Sequence, residues 1–237
     1  MKLAINQPYF FPYVGYFSLI ASSDHFIIFD TAQYVRHSWM NRNRILKPDG
    51  KNWQYITLPV KKYDRYAAVR DIEVRDDRWK KRLLGQLAHY KKKAPFYSEV
   101  MAFLEESLRF ETHSLSDINT ILIVQICAFL SIPCQVKLYS KMQLEHPKPE
   151  LPSEWALYIS KGMKAKMYIN LPGGRELFER RRFDDLDIDL RYIKADLSDY
   201  RMRKENEFIP ALSILDVLMF AGAEGAKKLA ENYRLEK

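Results

Sequence analysis

The chain reads as an α/β protein: a Rossmann-like parallel sheet with a mostly helical insert and a short β hairpin. Two observations predict this. Short apolar runs that end at turn residues alternate with helix-spaced stretches at both ends of the chain, and the middle breaks that rhythm. Residues 2–6 (KLAIN) form an apolar run closed by Gln7-Pro8, as in a buried first strand. Residues 25–30 (HFIIFD) form a second run, β-branched and aromatic, closed by an acid. An apolar patch over 16–21 fits a helix of about two turns between them. Strand, helix and strand within about 30 residues is the size of a βαβ unit, which implies parallel strands and a right-handed crossover.

Past Lys47-Pro48-Asp49-Gly50, a turn signal, residues 52–60 alternate like a strand and 68–74 resemble another, so the two are expected to pair as a hairpin or meander. Residues 77–110 carry Trp79, Leu83, Leu84 and Leu87 at helical spacing, with a break near Ala94-Pro95. A long helix is expected from Leu115 to Leu130, with Ser116 as its cap, followed by a strand over 135–139. The Pro-rich stretch from His146 to Pro152 is a loop or linker. Beyond it, a helix over 153–164, a strand over 167–170, a helix over 176–180, a strand over 189–194 and a helix from Leu212 ending near Gly222 complete the alternation. The 237 residues are expected to form one domain, with about 46–130 as the insert.

Composition narrows the class. The longest apolar run, from Ile121 to Ile132, is about half the roughly 20 residues that span a bilayer and contains Gln125. The N-terminus has no signal-peptide core, and two cysteines, Cys127 and Cys134, make no disulfide framework, so a cytoplasmic protein is expected. The net charge of +8 implies either an anionic small-molecule partner or a solvated basic surface. Basic triplets at 80–82, 91–93 and 180–182 form neither a continuous stripe nor a nucleic-acid motif, so nucleic acid ranks behind a small ligand. The five histidines lack metal-ligand spacing, and neither a Walker loop, a dinucleotide fingerprint nor a hydrolase elbow occurs.

The candidate site lies between Asn6 and Arg44. Gln7, Tyr9, Tyr13, Gly15 and Tyr16 follow the first strand, and in open parallel sheets that loop stands at the ligand-binding carboxyl edge. Asp30 and Gln33 follow the second strand and are expected at the same edge. Asp30 is the candidate general base, or else a loop-capping carboxylate. Trp39, Asn41, Arg42 and Asn43 place stacking and planar polar groups side by side, suited to phosphate, carboxylate and hydroxyls, or to a solvated turn. Gly173, Gly174 and Arg175 precede a helix, where backbone N–H groups hold anions, though two glycines there also make a plain tight turn.

These segments carry a resemblance. QPYFFPYVGYF, DHFIIFDTAQYV, SWMNRNRI, YKKKAPFY, LSDINTILI, MYINLPGGRELF and FIPALSILDVLMFAG together resemble the WbqC-like family over almost the whole chain. Such families accompany bacterial surface-polysaccharide genes. The resemblance implies transfer of an acyl or aminoacyl group, such as glycine, onto the amine of an amino-sugar nucleotide. It leaves open the cofactor, the acyl donor and the oligomeric state. Residues 11–16 (FPYVGY) also resemble the phosphate-binding loop of the HIGH-motif nucleotidylyltransferases, with Tyr13 and Tyr16 where those enzymes have histidines and Pro12 one residue too close. Neutral phenols cannot supply the positive charge that adenylyl transfer needs.

Overall fold

The computed structural model describes residues 1–133, 135–201 and 207–237; Cys134 lies outside the described residues. Its strands are β1 (Lys2–Asn6), β2 (His25–Ile28), β3 (Arg42–Leu46), β4 (Trp53–Thr57), β5 (Gln135–Leu138), β6 (Met167–Asn170), β7 (Asp189–Ala195) and β8 (Tyr233–Glu236). Its α-helices are α1 (Val14–Ala21), α2 (Arg78–Leu87), α3 (Tyr97–Ser107), α4 (Leu115–Phe129), α5 (Glu154–Gly162), α6 (Arg180–Asp184) and α7 (Ile214–Glu231). Six strands form one sheet in the order β5-β2-β1-β6-β7-β8, parallel except for β8, which runs antiparallel along β7.

Each strand's alternation divides the core into two layers. Ala4, Phe26, Ile28, Ile169 and Ile193 face α1, α4 and α7. Leu3, Ile5, Ile27, Tyr168, Leu190 and Tyr192 face α5 and α6. The order matters for function. From β1 the chain steps to β2 and β5 on one side, and later through β6 to β7 on the other, so β1 and β6 flank the topological switch point. Ligands of open α/β sheets bind in the crevice beyond the carboxyl ends of such strands.

The hairpin forms, but from other strands than expected. Residues 42–46 pair antiparallel with 53–57, while 68–74 contributes only isolated bridges around a 3-10 turn at Val69–Asp71. The Asn-Arg-Asn run therefore enters a strand: Asn43 and Ile45 turn inward, Arg42 and Arg44 outward. Two helix ends also differ. The cap of α4 is Ser114, whose hydroxyl accepts from the Asp117 N–H at 3.3 Å, not Ser116. The last helix does break at Gly222, where φ is +66°, but it resumes to Glu231. A Cβ at Gly222 would stand 2.7 Å from the Phe96 ring, so both backbone angle and space require glycine there. Among the described residues no helix is long and apolar enough to cross a membrane.

Candidate functional site

A cavity of about 580 Å³ opens at the switch point. Its floor is the carboxyl edge of β1 and β6, through Ile5, Asn6, Tyr168 and Asn170. Gln7 and Tyr9 come from the loop after β1, Phe29, Thr31, Ala32 and Gln33 from the chain after β2, and Leu177 and Phe178 from the turn after β6. Trp155 and the Pro149–Pro152 segment close the remaining side.

The chemistry of the lining is specific. Four carboxamides (Asn6, Gln7, Gln33, Asn170) and the Thr31 hydroxyl meet five aromatic rings (Tyr9, Phe29, Trp155, Tyr168, Phe178), and among the described residues Glu150 is the one charged residue of the lining. Asn6 and Asn170 are equivalent by construction. Each ends its strand, and each Oδ1 accepts from the next backbone N–H, Gln7 at 2.8 Å and Leu171 at 2.7 Å. That bond fixes the amide and leaves Nδ2 as the free donor. Gly174 N donates to Leu171 O, folding the glycine against Asn170; a Cβ there would stand 2.6 Å from Asn170 Nδ2. The Tyr9 hydroxyl donates to Gln7 Oε1 at 3.4 Å, and burial raises its pKa, so it stays protonated. Gln33 Nε2 donates to Arg65 O at 2.9 Å, joining the cavity rim to the 61–75 excursion.

Of the residues singled out in the sequence, Gln7, Tyr9 and Gln33 line this cavity. The others hold its frame. Tyr16 is buried and donates to Gln7 O at 2.8 Å, which sets the loop's first bend. Tyr13 precedes α1, its pKa pushed up to about 12 by burial and by neighbouring Tyr9. Gly15 gives its ring room, since a Cβ would fall 2.4 Å from it. Asn43 Nδ2 donates to the carbonyls of Phe10 and Phe11 at 3.1 and 2.9 Å, and Ser213 Oγ donates to Phe11 O at 2.8 Å. Phe11 has a φ of +41°, a strained angle for a bulky residue that these bonds maintain. Asn41 Nδ2 donates to Leu58 O at 3.1 Å.

The charged candidates are engaged elsewhere. Both Asp30 oxygens accept from Ser140, its N–H at 2.9 Å and its hydroxyl at 2.5 Å, tying the ends of β2 and β5 together. Arg42 lies 4.0 Å over the Tyr55 ring, with Nη1 3.3 Å from His37 Nδ1. Trp39, partly exposed, stacks with Trp53 about the Arg44 guanidinium, 5.3 Å from each ring. Arg175 donates to Lys237 O at 2.8 Å and to Glu236 at 3.1 Å, beyond Gly173 on the β8 side of the sheet.

Sequence reasoning missed Asn6, Asn170, Phe29, Trp155 and Glu150 as lining, and Asn119 as a clamp. Asn119 is buried in α4 and donates to Pro8 O at 2.9 Å and Met40 O at 2.7 Å. A signal for the first two was present: Ile5-Asn6-Gln7-Pro8 and Ile169-Asn170-Leu171-Pro172 repeat one I-N-x-P pattern at two strand ends.

The model of the WbqC-like protein family matches residues 7–228, from the cavity loop into the second half of α7. The chain belongs to the WbqC-like family. A relative, the uncharacterized protein Rv1507c of Mycobacterium tuberculosis, is 33% identical over 227 residues, 94% of this chain and 95% of its own length. No solved structure matches. The match to the WbqC-like family takes in every lining residue of the cavity except Ile5 and Asn6.

Proposed function

We propose that this WbqC-like protein is a transferase that binds an amino-sugar nucleotide and acylates or aminoacylates its amine in bacterial surface-glycan (O-antigen) synthesis. The observation that carries the reading is the lining. Carboxamides supply paired donors and acceptors for ring hydroxyls, aromatic faces stack on the C–H faces of a sugar, and among the described residues the wall holds no basic side chain. A phosphate buried in such a wall would be unpaired, so the sugar ring occupies the cavity and the nucleotide lies outward, towards the mouth. Asn6, Gln7 and Asn170 orient the ring. Glu150, on the cavity wall, is the carboxylate placed to take the proton that the amine releases as the C–N bond forms. Asp30 holds Ser140 and thereby the ends of β2 and β5.

A second reading is favoured by one observation: among the described residues neither a histidine, a cysteine nor a lysine lines the cavity, as suits a non-catalytic nucleotide-sugar binder. The test is a thermal-shift screen of amino-sugar nucleotides, followed by mass spectrometry with acyl donors. Binding that falls at least tenfold in Asn170→Ala and Gln7→Ala, with unchanged melting, supports the site. An N-acylated product lost in Glu150→Gln supports the transferase, and tight binding without product with any donor supports the binder. Failure of every nucleotide sugar to shift the melting temperature would remove both.

A further inference from the structure

The positive charge of the chain is concentrated. Residues 61–93 contain twelve Lys and Arg against five Asp and Glu, so these 33 residues carry +7 of the net +8. From Arg78 to Ser98 there are seven basic residues and no acidic one. Helix α2 buries Trp79, Leu83 and Leu87 and turns Arg78, Lys81, Arg82 and Gly85 to solvent. Among the described residues neither Lys81 nor Arg82 is paired with a carboxylate.

Gly85 makes this face unusual. It sits in the helix interior, exposed, and a Cβ added there would meet nothing within 4 Å. Glycine in a helix interior costs about 1 kcal/mol relative to alanine. Neither backbone angle nor crowding within the molecule requires it. A close approach of another backbone would require it. Ala88, also exposed, lies one turn further, so a small-residue spot sits amid a ring of cationic side chains. No large apolar side chain stands on this face, so a bilayer would gain nothing from inserting it. Phosphates of a nucleic acid would use the charge but not the glycine.

We propose that the outward face of α2 is the docking surface for an acidic, helical carrier protein that presents the acyl group as a thioester. A helix of that partner packs at Gly85 and Ala88, its carboxylates facing Arg78, Lys81 and Arg82. The basic tract continues to the cavity. Arg75 N donates to Pro59 O, Lys61 N donates to Glu73 O, and Arg65 O accepts from Gln33, which lines the rim. The identity of the partner as a carrier rests on the transferase reading; the docking itself does not. In the transfer, the sugar amine attacks the thioester carbonyl, the C–N bond forms as the C–S bond breaks, and the carrier leaves as a thiol with the amine's proton.

The test is calorimetric titration with a purified bacterial acyl carrier protein in its unloaded phosphopantetheine form, at low and at 0.5 M salt. Binding is expected at low salt, with at least tenfold loss at high salt and in Lys81→Glu/Arg82→Glu. Gly85→Gln is expected to bind at least fivefold more weakly while melting at or above the wild-type temperature. Absence of carrier binding overturns the proposal, as does binding indifferent to Gly85→Gln. Tighter binding of duplex RNA, also indifferent to Gly85→Gln, makes the face a nucleic-acid surface instead. Amino-sugar nucleotide binding is read in the same variants. It stays at wild type if the cavity reading holds, whatever the carrier does.

Discussion

Asparagine amides do most of the work of shaping the site, and they act in two ways. Asn6 and Asn170 spend one oxygen on a backbone N–H and keep a donor for the cavity, whereas Asn43 and Asn119 spend their donors on loop carbonyls. Asn43→Ala takes a donor from both carbonyls where the loop is strained, leaving Phe11 O with Ser213 alone, and loss of a buried partner costs about 1–3 kcal/mol. Urea unfolding is expected to show that loss, and a variant as stable as wild type would detach Asn43 from the loop. Gly174→Ala acts differently. Its Cβ falls 2.6 Å from the far end of the Asn170 side chain, which swings away, and 3.3 Å from the Phe178 ring, which gives by a few tenths of an ångström. Nucleotide-sugar affinity should fall several-fold while melting changes by a few degrees at most. The sequence made Gln7, Tyr9 and Gln33 readable because they follow strand ends. It could not separate them from Arg42 and Asn43, since alternation along a strand becomes visible only once its partner is known.

At the scale of elements, the cavity wall at Pro149–Pro152 is held by one carboxylate. Glu154, in the first turn of α5, accepts from the N–H groups of Glu150 and Leu151 at 2.7 and 3.1 Å and from Arg182 of α6 at 2.6 Å. The Arg182 guanidinium first, then those N–H groups, hold its carboxyl below the usual range. A depressed folded-state pKa gives stability that is present above the unfolded value and lost as pH falls through the folded one. Below the ordinary Glu value of 4.5 the wall is therefore expected to loosen, and nucleotide-sugar binding to weaken. Glu154→Gln should bind weakly already at neutral pH and lose that acid dependence, as fluorescence titration against pH would show. The wall was readable only as a proline-rich break. The hairpin was misassigned for a related reason. Residues 68–74 alternate well enough for a strand, but their partners are Gln33, Val60 and Ser114, scattered over three segments.

At the scale of the whole molecule, one buried carboxyl joins the segment between β2 and β5 to the C-terminal helix. Asp216, in the first turn of α7, is buried and accepts from the hydroxyls of Tyr90 and Tyr200. Tyr90 in turn accepts from Leu46 N of β3 at 3.0 Å. The sequence offered Asp216 only as an acid near a helix start, because its partners lie 126 and 16 residues away. Burial raises its pKa above the ordinary 3.8, outweighing the phenol bonds that lower it. A carboxyl with a raised folded-state pKa gives stability that is fully present below 3.8 and lost as pH rises through the folded value. Its sign is thus opposite to that of Glu154. Asp216→Asn carries no charge at any pH, yet offers Oδ1 to one phenol and Nδ2 to the other. Melting curves from pH 4 to 8 are expected to show the variant at or above wild type near pH 8, with the difference shrinking or reversing towards pH 4. Asp216→Ala, which takes the acceptor from both phenol O–H groups, should lose about 1–3 kcal/mol for each at every pH. If Asp216→Asn instead loses several degrees near pH 8 and regains them in acid, the carboxyl is ionised and charge-assisted in the fold, and the sign argued from its burial is wrong.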